Sequence, residues 1–343
     1  WGLKQKGRIW KLDTPDAAGN EARQDTQKRL GESFADHPVE LLTELLRHDD
    51  MRVRQKSQFE LVKRGDIAQL QKVAAEDEHQ LARIHAMWGI GQLARKDASN
   101  ATALVALLQD SDSEIRAQAA RVLGDSNIDT VAEQIIPLLK DKDLRVQLLA
   151  TQALGRINAD AAVQPIIAML EANNDKDVYL RHAGAIALER IGDEEALAAL
   201  VSHSSEAVRV AAVVALKRLE SPAVAEFLND KSEFVVTNAA RAISDDNFIT
   251  AAMPALAQLL ETTKFTNEPL LRRLINANLY GEGSENVQRL VNFAQKAGID
   301  SELRAEALSV VGIWHESSAF DRITGQHRGV VSHNVGDARQ ALT

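Results

Sequence analysis

Histidine is the residue type in this sequence most suited to metal chemistry, because imidazole nitrogens bind zinc and other transition metals. The chain has nine histidines, but they are scattered along its length. His315-Glu316 places two potential ligands side by side, yet one such pair supplies too few ligands for a closed metal site. The sequence therefore predicts no metal site and no cofactor-binding residue in this chain.

Short motifs for other kinds of catalysis are also missing. The sequence has no HExxH, GxSxG, P-loop or GxGxxG pattern, and it has no cysteine for thiol chemistry. GEGSEN, from Gly281 to Asn286, contains a GxG step, but it follows a helical pattern rather than a strand. We therefore expect no catalytic residue here.

The most polar helix start in the sequence is RRLINANLY, and it supplies the candidate binding surface. The residues of that surface are Arg272, Arg273, Asn276, Asn278 and Tyr280. The two asparagines either hydrogen-bond the backbone of a neighbouring helix or point toward a ligand, and the structural role is favoured. Trp88, within AMWGIG, is interpreted as a core or near-core residue in preference to a ligand-stacking one.

An internal repeat positions these residues. LLQDSDSEIRAQAARVLG, from Leu107 to Gly124, returns as LLKDKDLRVQLLATQALG, from Leu138 to Gly155, 31 residues later. The arginine within the first copy marks an equivalent position in nine units. These marker positions are Arg54, Arg83, Arg116, Gln147, Arg181, Arg209, Val236, Arg272 and Arg304. Spacings of 27 to 36 residues predict two-helix units joined by turns of variable length.

Two further positions recur at fixed distances from the marker. A side chain suited to capping a helix lies four residues before it, and an apolar residue lies seven residues after it. The predicted caps are Asp50, Asp112, Asp143, Asp177, Ser205, Ser232 and Asp300. The apolar positions are Leu61, Ile90, Leu123, Leu154, Leu188, Leu216, Ile243, Leu279 and Val311. The second helix of each unit is thus expected to begin at its cap and to bury the apolar residue.

Composition limits the kinds of partner. The chain is 45% hydrophobic but only 4% aromatic, which favours closely packed helices with aliphatic cores. A formal net charge of -9 disfavours nucleic acid, since binding to the phosphate backbone needs clustered cations. No apolar run approaches the ~20 residues of a membrane span. We therefore expect a protein partner, no nucleic acid and no transmembrane segment.

Four segments resemble the second helix of a HEAT repeat, which typically opens with Asp-x-x-Val-Arg and closes with Leu-Gly. They are MRVRQKSQFEL, SEIRAQAARVLG, LRVQLLATQALG and EAVRVAAVVAL. The resemblance implies an all-α fold, a right-handed α-α superhelix of the HEAT/armadillo-like solenoid type with about nine helical hairpins. It also implies that the aspartates and marker arginines join adjacent repeats, with weaker contacts at Gln147 and Val236.

Three regions are predicted along the chain. Residues 1–36 form a strand-like segment, a loop and a lead-in helix, with RIWKL, from Arg8 to Leu12, as the strand. Residues 37–313 form the solenoid, and residues 314–343 form a C-terminal loop and a truncated extension. The opening WGLKQKGRIWKLD has no initiating Met, which suggests an excised fragment.

Six further segments follow one another along the chain: KGRIWKL, LLRHDDMRVRQKSQFELVKRG, VVTNAARAISDD, EPLLRRLINANLYG, LRAEALSVVGIW and FDRITGQHRG. They resemble the helical region of bacterial dehydrogenase-like proteins in which a sorbosone or glucose dehydrogenase-type β-propeller precedes HEAT repeats and a c-type cytochrome domain. This resemblance implies catalytic and haem domains outside the chain and a periplasmic or otherwise extracytoplasmic location. It supplies no catalytic residue within it.

The sequence thus favours a noncatalytic scaffold that binds a protein or the flanking domains of its own parent chain. One alternative is a segment of a sugar or aldose-type dehydrogenase. The other is an independent repeat enzyme such as a lyase of the phycobilin type, which no residue specifically favours.

Overall fold

The structure is a computed structural model that describes residue 14 and residues 19–343. Helices dominate this part of the chain, and its only strand-like pairing is a single bridge between Phe320 and His327. The predicted strand from Arg8 to Leu12 lies outside the described residues. The chain divides into two compact units, with the boundary between Ile128 and Asp129. The region boundaries predicted after residues 36 and 313 remain predictions.

The first unit consists of one lead-in helix and three helical hairpins. Its helices are α1 (Glu21–Gly31), α2 (Val39–Leu45), α3 (Met51–Arg64), α4 (Ile67–Glu76), α5 (Gln80–Ala94), the 3₁₀ helix Ala98–Gln109 and α6 (Ser113–Asp125). Helices α3, α5 and α6 are the second helices of their hairpins and pack side by side in one layer. The first helices form the other layer.

The second unit contains six hairpins and a C-terminal helix. Its α-helices are α7 (Ala132–Ile135), α8 (Leu144–Arg156), α9 (Val163–Asn173), α10 (Val178–Ile191), α11 (Glu194–Ala199), α12 (Glu206–Arg218), α13 (Glu233–Ser244), α14 (Met253–Thr262), α15 (Glu268–Tyr280), α16 (Ser284–Gln295), α17 (Ser301–Gly312) and α18 (Val335–Ala341). Its 3₁₀ helices are Asp129–Val131, Ile136–Lys140, Asp160–Ala162, Leu200–Ser202, Pro222–Asn229 and Thr250–Ala252. The described part of the chain therefore has the nine hairpins that the repeat predicts, and the all-α HEAT-type fold is confirmed.

All seven predicted caps begin a second helix, and each side chain accepts a hydrogen bond from a backbone amide of the first turn. His79 and Asn267 cap the remaining two second helices. The cap at Asn267 corrects one assignment. The marker position of α15, four residues after its cap, is Leu271 rather than Arg272, because this helix begins one residue earlier than the spacing predicts.

Four of the marker side chains hold the turn between the two helices of their own repeat. Nη1 of Arg116 donates to the carbonyl oxygens of Asp110 and Ser111, at 2.8 and 3.1 Å. Arg54 and Arg209 make the equivalent pair of bonds. Gln147 retains one such bond, to the carbonyl of Asp141 at 2.6 Å, because its amide is shorter. These bonds satisfy carbonyls that the turn leaves without helical partners.

Two junctions between adjacent repeats contain an ion pair to a carboxylate that lies two residues before a cap. A capping side chain also contacts the preceding repeat, since Asp112 accepts a hydrogen bond from Nε2 of Gln80 at 2.6 Å. Asp110 pairs with Arg83 of the preceding repeat at 2.5 Å and also accepts from the backbone amide of Asp112. Asp230 pairs in the same way with Arg209, at 2.6 Å, and accepts from the amide of Ser232. One carboxylate therefore fixes its own turn and binds the neighbouring repeat.

Helices α8 and α10 approach closely at Gly155, and alanine at this position is expected to destabilise the second unit. A Cβ added to Gly155 would lie 2.7 Å from the Cα of Ala187, so the backbones would have to separate. We expect Gly155→Ala to lower the free energy of unfolding by about 1–2 kcal/mol in a urea titration. Gly312→Ala is the matched control, because open space surrounds that position. A neutral or stabilising Gly155→Ala would contradict the close packing.

Candidate functional site

The predicted binding surface on α15 is used largely within the protein. Arg273 is buried and pairs through two nitrogens with Asp245, at 2.9 Å each. Asn278 is fully buried, and its Nδ2 donates to the carbonyl oxygens of Ala257 and Leu274 at 3.0 and 2.8 Å. Asn278 thus makes the contact with a neighbouring helix that was one of its two expected roles.

Arg272 lies on the more exposed side of α15. Its guanidinium pairs with Glu268 at 2.7 Å and with Glu306 of α17. The arginine therefore bridges two helices, with part of its side chain open to solvent.

Asn276 and Tyr280 are covered by the loop that follows α17. Nδ2 of Asn276 donates to Asp321 at 2.8 Å, and both residues are buried. Tyr280 packs edge-on against Phe248, with ring centroids 4.7 Å apart. Burial, and then the Asp321 carboxylate, raise the pKa of Tyr280 to about 12. The phenol of Tyr280 is therefore neutral at pH 7.

Asp321 organises this loop through hydrogen bonds from backbone amides. Its Oδ1 accepts from the backbone amides of Ile323 and Thr324 at 2.9 and 2.7 Å. Burial alone would raise the pKa of Asp321, but these amides and the Asn276 amide outweigh it and lower that pKa. Arg328 lies over the Phe248 ring, 4.1 Å from its centroid.

A different surface, in the first unit, is open. All the exposed large hydrophobic residues described in this unit lie on α3 or α5, and they are Met51, Phe59, Leu81 and Trp88. Phe59 and Trp88 line a cleft of about 350 Å³, which we name the Trp88 cleft. Its other lining residues are Gln55, Gln58, Gly91, Gln92, Arg95, Arg121, Val122 and Asp125.

The Trp88 ring is exposed but fixed. Trp88 is 36% exposed, yet its indole Nε1 donates a hydrogen bond to Gln118 at 2.9 Å. Gln118 is only 2% exposed and is held in turn by Glu114, through a 2.7 Å bond from its Nε2. Two linked polar side chains thus hold the orientation of the exposed ring.

Buried polar groups also support the inner side of that ring. His85 packs edge-on against Trp88, with ring centroids 5.0 Å apart, and its Nδ1 bonds Oε1 of Gln58 at 2.7 Å. Burial, and then the Arg54 guanidinium, lower the pKa of His85 to about 4. Because the imidazole is neutral at pH 7, Nδ1 carries the hydrogen that it donates to Gln58.

Polar side chains surround the aromatic part of the Trp88 cleft. Arg95 has no ion pair within the described part of the chain. Arg121 is 3.6 Å from Asp125 of its own helix. The amides of Gln55 and Gln92 make no side-chain hydrogen bond among the residues described. The cleft therefore offers two aromatic faces, an unpaired cation and two amides.

Phe59 and Trp88 share one register, which is the sequence signal that identifies them. Each lies five residues after a marker arginine, Arg54 or Arg83. The same position of α15, counted from Leu271, is Asn276. An aromatic residue at this register in two consecutive repeats indicates an exposed aromatic pair.

Residues 14 and 19–343 contain no group of three or more His, Cys, Asp or Glu side chains placed to hold a metal ion. No helix in the same residues has the length and apolar character needed to cross a membrane.

The fold is that of an α-solenoid built from helical hairpins, and sequence comparison gives its family. The model for HEAT repeats matches residues 67–133, 101–179, 132–203 and 171–244, which together span just over half of the chain. The chain belongs to the HEAT-repeat family. No curated protein matches it in sequence.

Solved structures with related helical folds are distant. An engineered protein is 20% identical with a TM-score of 0.41, and the match covers 88% of this chain and 98% of that one. The complex of CpcE and CpcF of phycocyanin lyase from Nostoc sp. PCC7120 is 18% identical, with coverages of 80% and 93% and a TM-score of 0.37. Importin beta is 14% identical with a TM-score of 0.45, over 80% of this chain and 44% of its own. At these values the likenesses carry no functional argument.

Proposed function

We propose that this chain is a noncatalytic HEAT-repeat scaffold that binds a protein segment in the Trp88 cleft. The observation that carries the proposal is the exposed Trp88 ring, held in place by Gln118 and His85. The proposal also agrees with the general use of HEAT repeats, whose stacked helices present extended surfaces to other proteins.

Physical reasons favour a fixed aromatic ring as a binding group. Tryptophan contributes a large contact area and is enriched among the residues that carry most of the binding energy of protein interfaces. A ring that is already oriented loses little conformational entropy when a partner binds. Phe59 extends this apolar surface onto the neighbouring helix.

Trp88→Ala should weaken the binding of peptides that the intact chain selects from a displayed library of random sequences. We expect affinities to fall at least about tenfold, because the substitution removes the main apolar contact. Binding is measured by fluorescence anisotropy with labelled copies of the selected peptides. Tyr179→Ala is the matched control, since it removes another exposed aromatic ring, 71% exposed, from the second unit.

Two outcomes would count against the proposal. If the intact chain selects no peptide, or if the selected peptides bind the Trp88→Ala variant as well as the intact chain, the cleft is not a protein-binding site. Circular dichroism of both variants must show the helical content of the intact chain.

We also propose, as a second candidate, that the chain is the spacer of a larger oxidoreductase of the propeller–HEAT–cytochrome type, in an extracytoplasmic location. The segments EPLLRRLINANLYG and FDRITGQHRG support it, since they meet in one place through the bond from Asn276 to Asp321. Sequencing the parent gene tests it: an upstream propeller and a downstream CxxCH motif are expected. Their absence would reject this assignment and leave the peptide-binding proposal intact.

A further inference from the structure

We infer that the Trp88 cleft binds an acidic peptide segment, with an apolar side chain between Phe59 and Trp88 and a carboxylate on Arg95. This inference rests on the proposed function and adds the chemistry of the partner. The rings of Phe59 and Trp88 account for the apolar side chain of the peptide. The charges of the cleft account for its acidic side chain.

The charges favour an anion. The cleft is lined by two arginines and one aspartate, and Arg121 and Asp125 face each other at 3.6 Å. Arg95 is left without an internal partner among the residues described. This local excess of positive charge occurs in a chain whose net charge is -9. A carboxylate can accept two parallel hydrogen bonds from the planar guanidinium.

The helix sets the spacing between the two contacts. Arg95 follows Trp88 by seven residues, at the end of α5, which places their Cα atoms about 10 Å apart along the helix axis. An extended peptide advances about 3.3 Å per residue, so about three residues separate the apolar side chain from the acidic one. The expected motif is therefore an apolar residue with Asp or Glu near the third position from it.

The second unit shows how a segment with a carboxylate docks on the same kind of helix face. Asn276 of α15 has the register that Phe59 and Trp88 have in the first unit. The loop after α17 lies against Asn276 and is anchored there by the buried Asp321 carboxylate. An irregular segment thus binds a second helix of a repeat through an acid. The cleft presents the corresponding face without such a covering loop among the residues described.

The test is selection of random displayed peptides on the intact chain and, in parallel, on Trp88→Ala. Peptides that depend on Trp88 should be enriched in Asp or Glu two to four residues from an apolar residue. Trp88-dependent peptides without such an acid would overturn the inference and leave the proposed function standing. Absence of any Trp88-dependent peptide would overturn both.

Charge reversal at Arg95 then tests whether its guanidinium binds the acidic residue of the peptide. Arg95→Glu should weaken the most enriched peptide about five- to tenfold, the effect expected when an exposed attractive pair becomes repulsive. The neighbouring Lys96→Glu is the matched control, because Lys96 does not line the cleft. Replacing the peptide's acid with lysine should restore binding to Arg95→Glu. An equal loss in both variants, or no rescue, would overturn the contact.

Discussion

Arg209→Ala should lower the free energy of unfolding of the second unit by about 3–5 kcal/mol, the largest loss expected from a single side chain here. Arg209 and Asp230 have side chains that are only 3% and 2% exposed. Removing the guanidinium leaves the Asp230 carboxylate buried without its counter-charge. It also leaves the carbonyls of His203 and Ser204 without their donor. A buried charge without a partner is far less favourable than a solvated one.

The measurement is urea denaturation followed by circular dichroism, with the midpoint compared between variants. Lys217→Ala is the matched control. Its pair with Asp246 is exposed, so a loss below about 1 kcal/mol is expected. Arg209→Met combined with Asp230→Leu should recover part of the stability, because neither charge is then buried. Equal losses for Arg209→Ala and Lys217→Ala would show that the buried pair contributes no more than the surface one.

Lowering the pH from 7 to 4 should destabilise the first unit by on the order of 3 kcal/mol through His85 alone. The pKa of His85 is about 4 in the folded chain, against 6.5 for an ordinary histidine. Between pH 4 and pH 6.5, His85 binds a proton in the unfolded chain but not in the folded chain. The stabilising effect of the neutral imidazole is therefore complete above pH 6.5 and is lost as the pH falls toward 4.

Comparison with His85→Gln isolates this effect from the titration of carboxylates. The stability of the intact chain should fall more steeply between pH 7 and pH 4 than that of the variant. The imidazole resonances of His85 in NMR spectra should titrate near pH 4 if the fold persists there. Parallel pH profiles for the two chains, or titration of His85 near pH 6.5, would contradict the buried neutral state.

The repeat, its caps and its core follow from the sequence because each depends on residues close together in the chain. A cap and a buried apolar residue at a fixed distance from a marker arginine determine where one helix begins and which face it buries. The register fails at α15, where Asn267 shifts the cap by one residue. The shift moves the marker from Arg272 to Leu271, a change that local spacing does not reveal.

The candidate site was harder to predict because it depends on contacts between distant residues. Asn276 is covered by Asp321, which lies 45 residues further along the chain. The sequence does not predict the exposure of Trp88 for another reason: AMWGIG is an apolar helical segment, and its composition favours burial. Only the register of Trp88 relative to Arg83, shared with Phe59 and Arg54, distinguishes the exposed side of that helix.

The carboxylates that precede the caps have a consequence for how arrays of this kind gain or lose units during evolution. A duplicated unit with an arginine equivalent to Arg209 and an aspartate equivalent to Asp230 would create a new junction in which the two charges pair. A unit copied from the Val236 repeat would bring no arginine, and the acid it meets would be buried alone. Lengthening by duplication is thus expected to succeed only for units that contribute both halves of the junction.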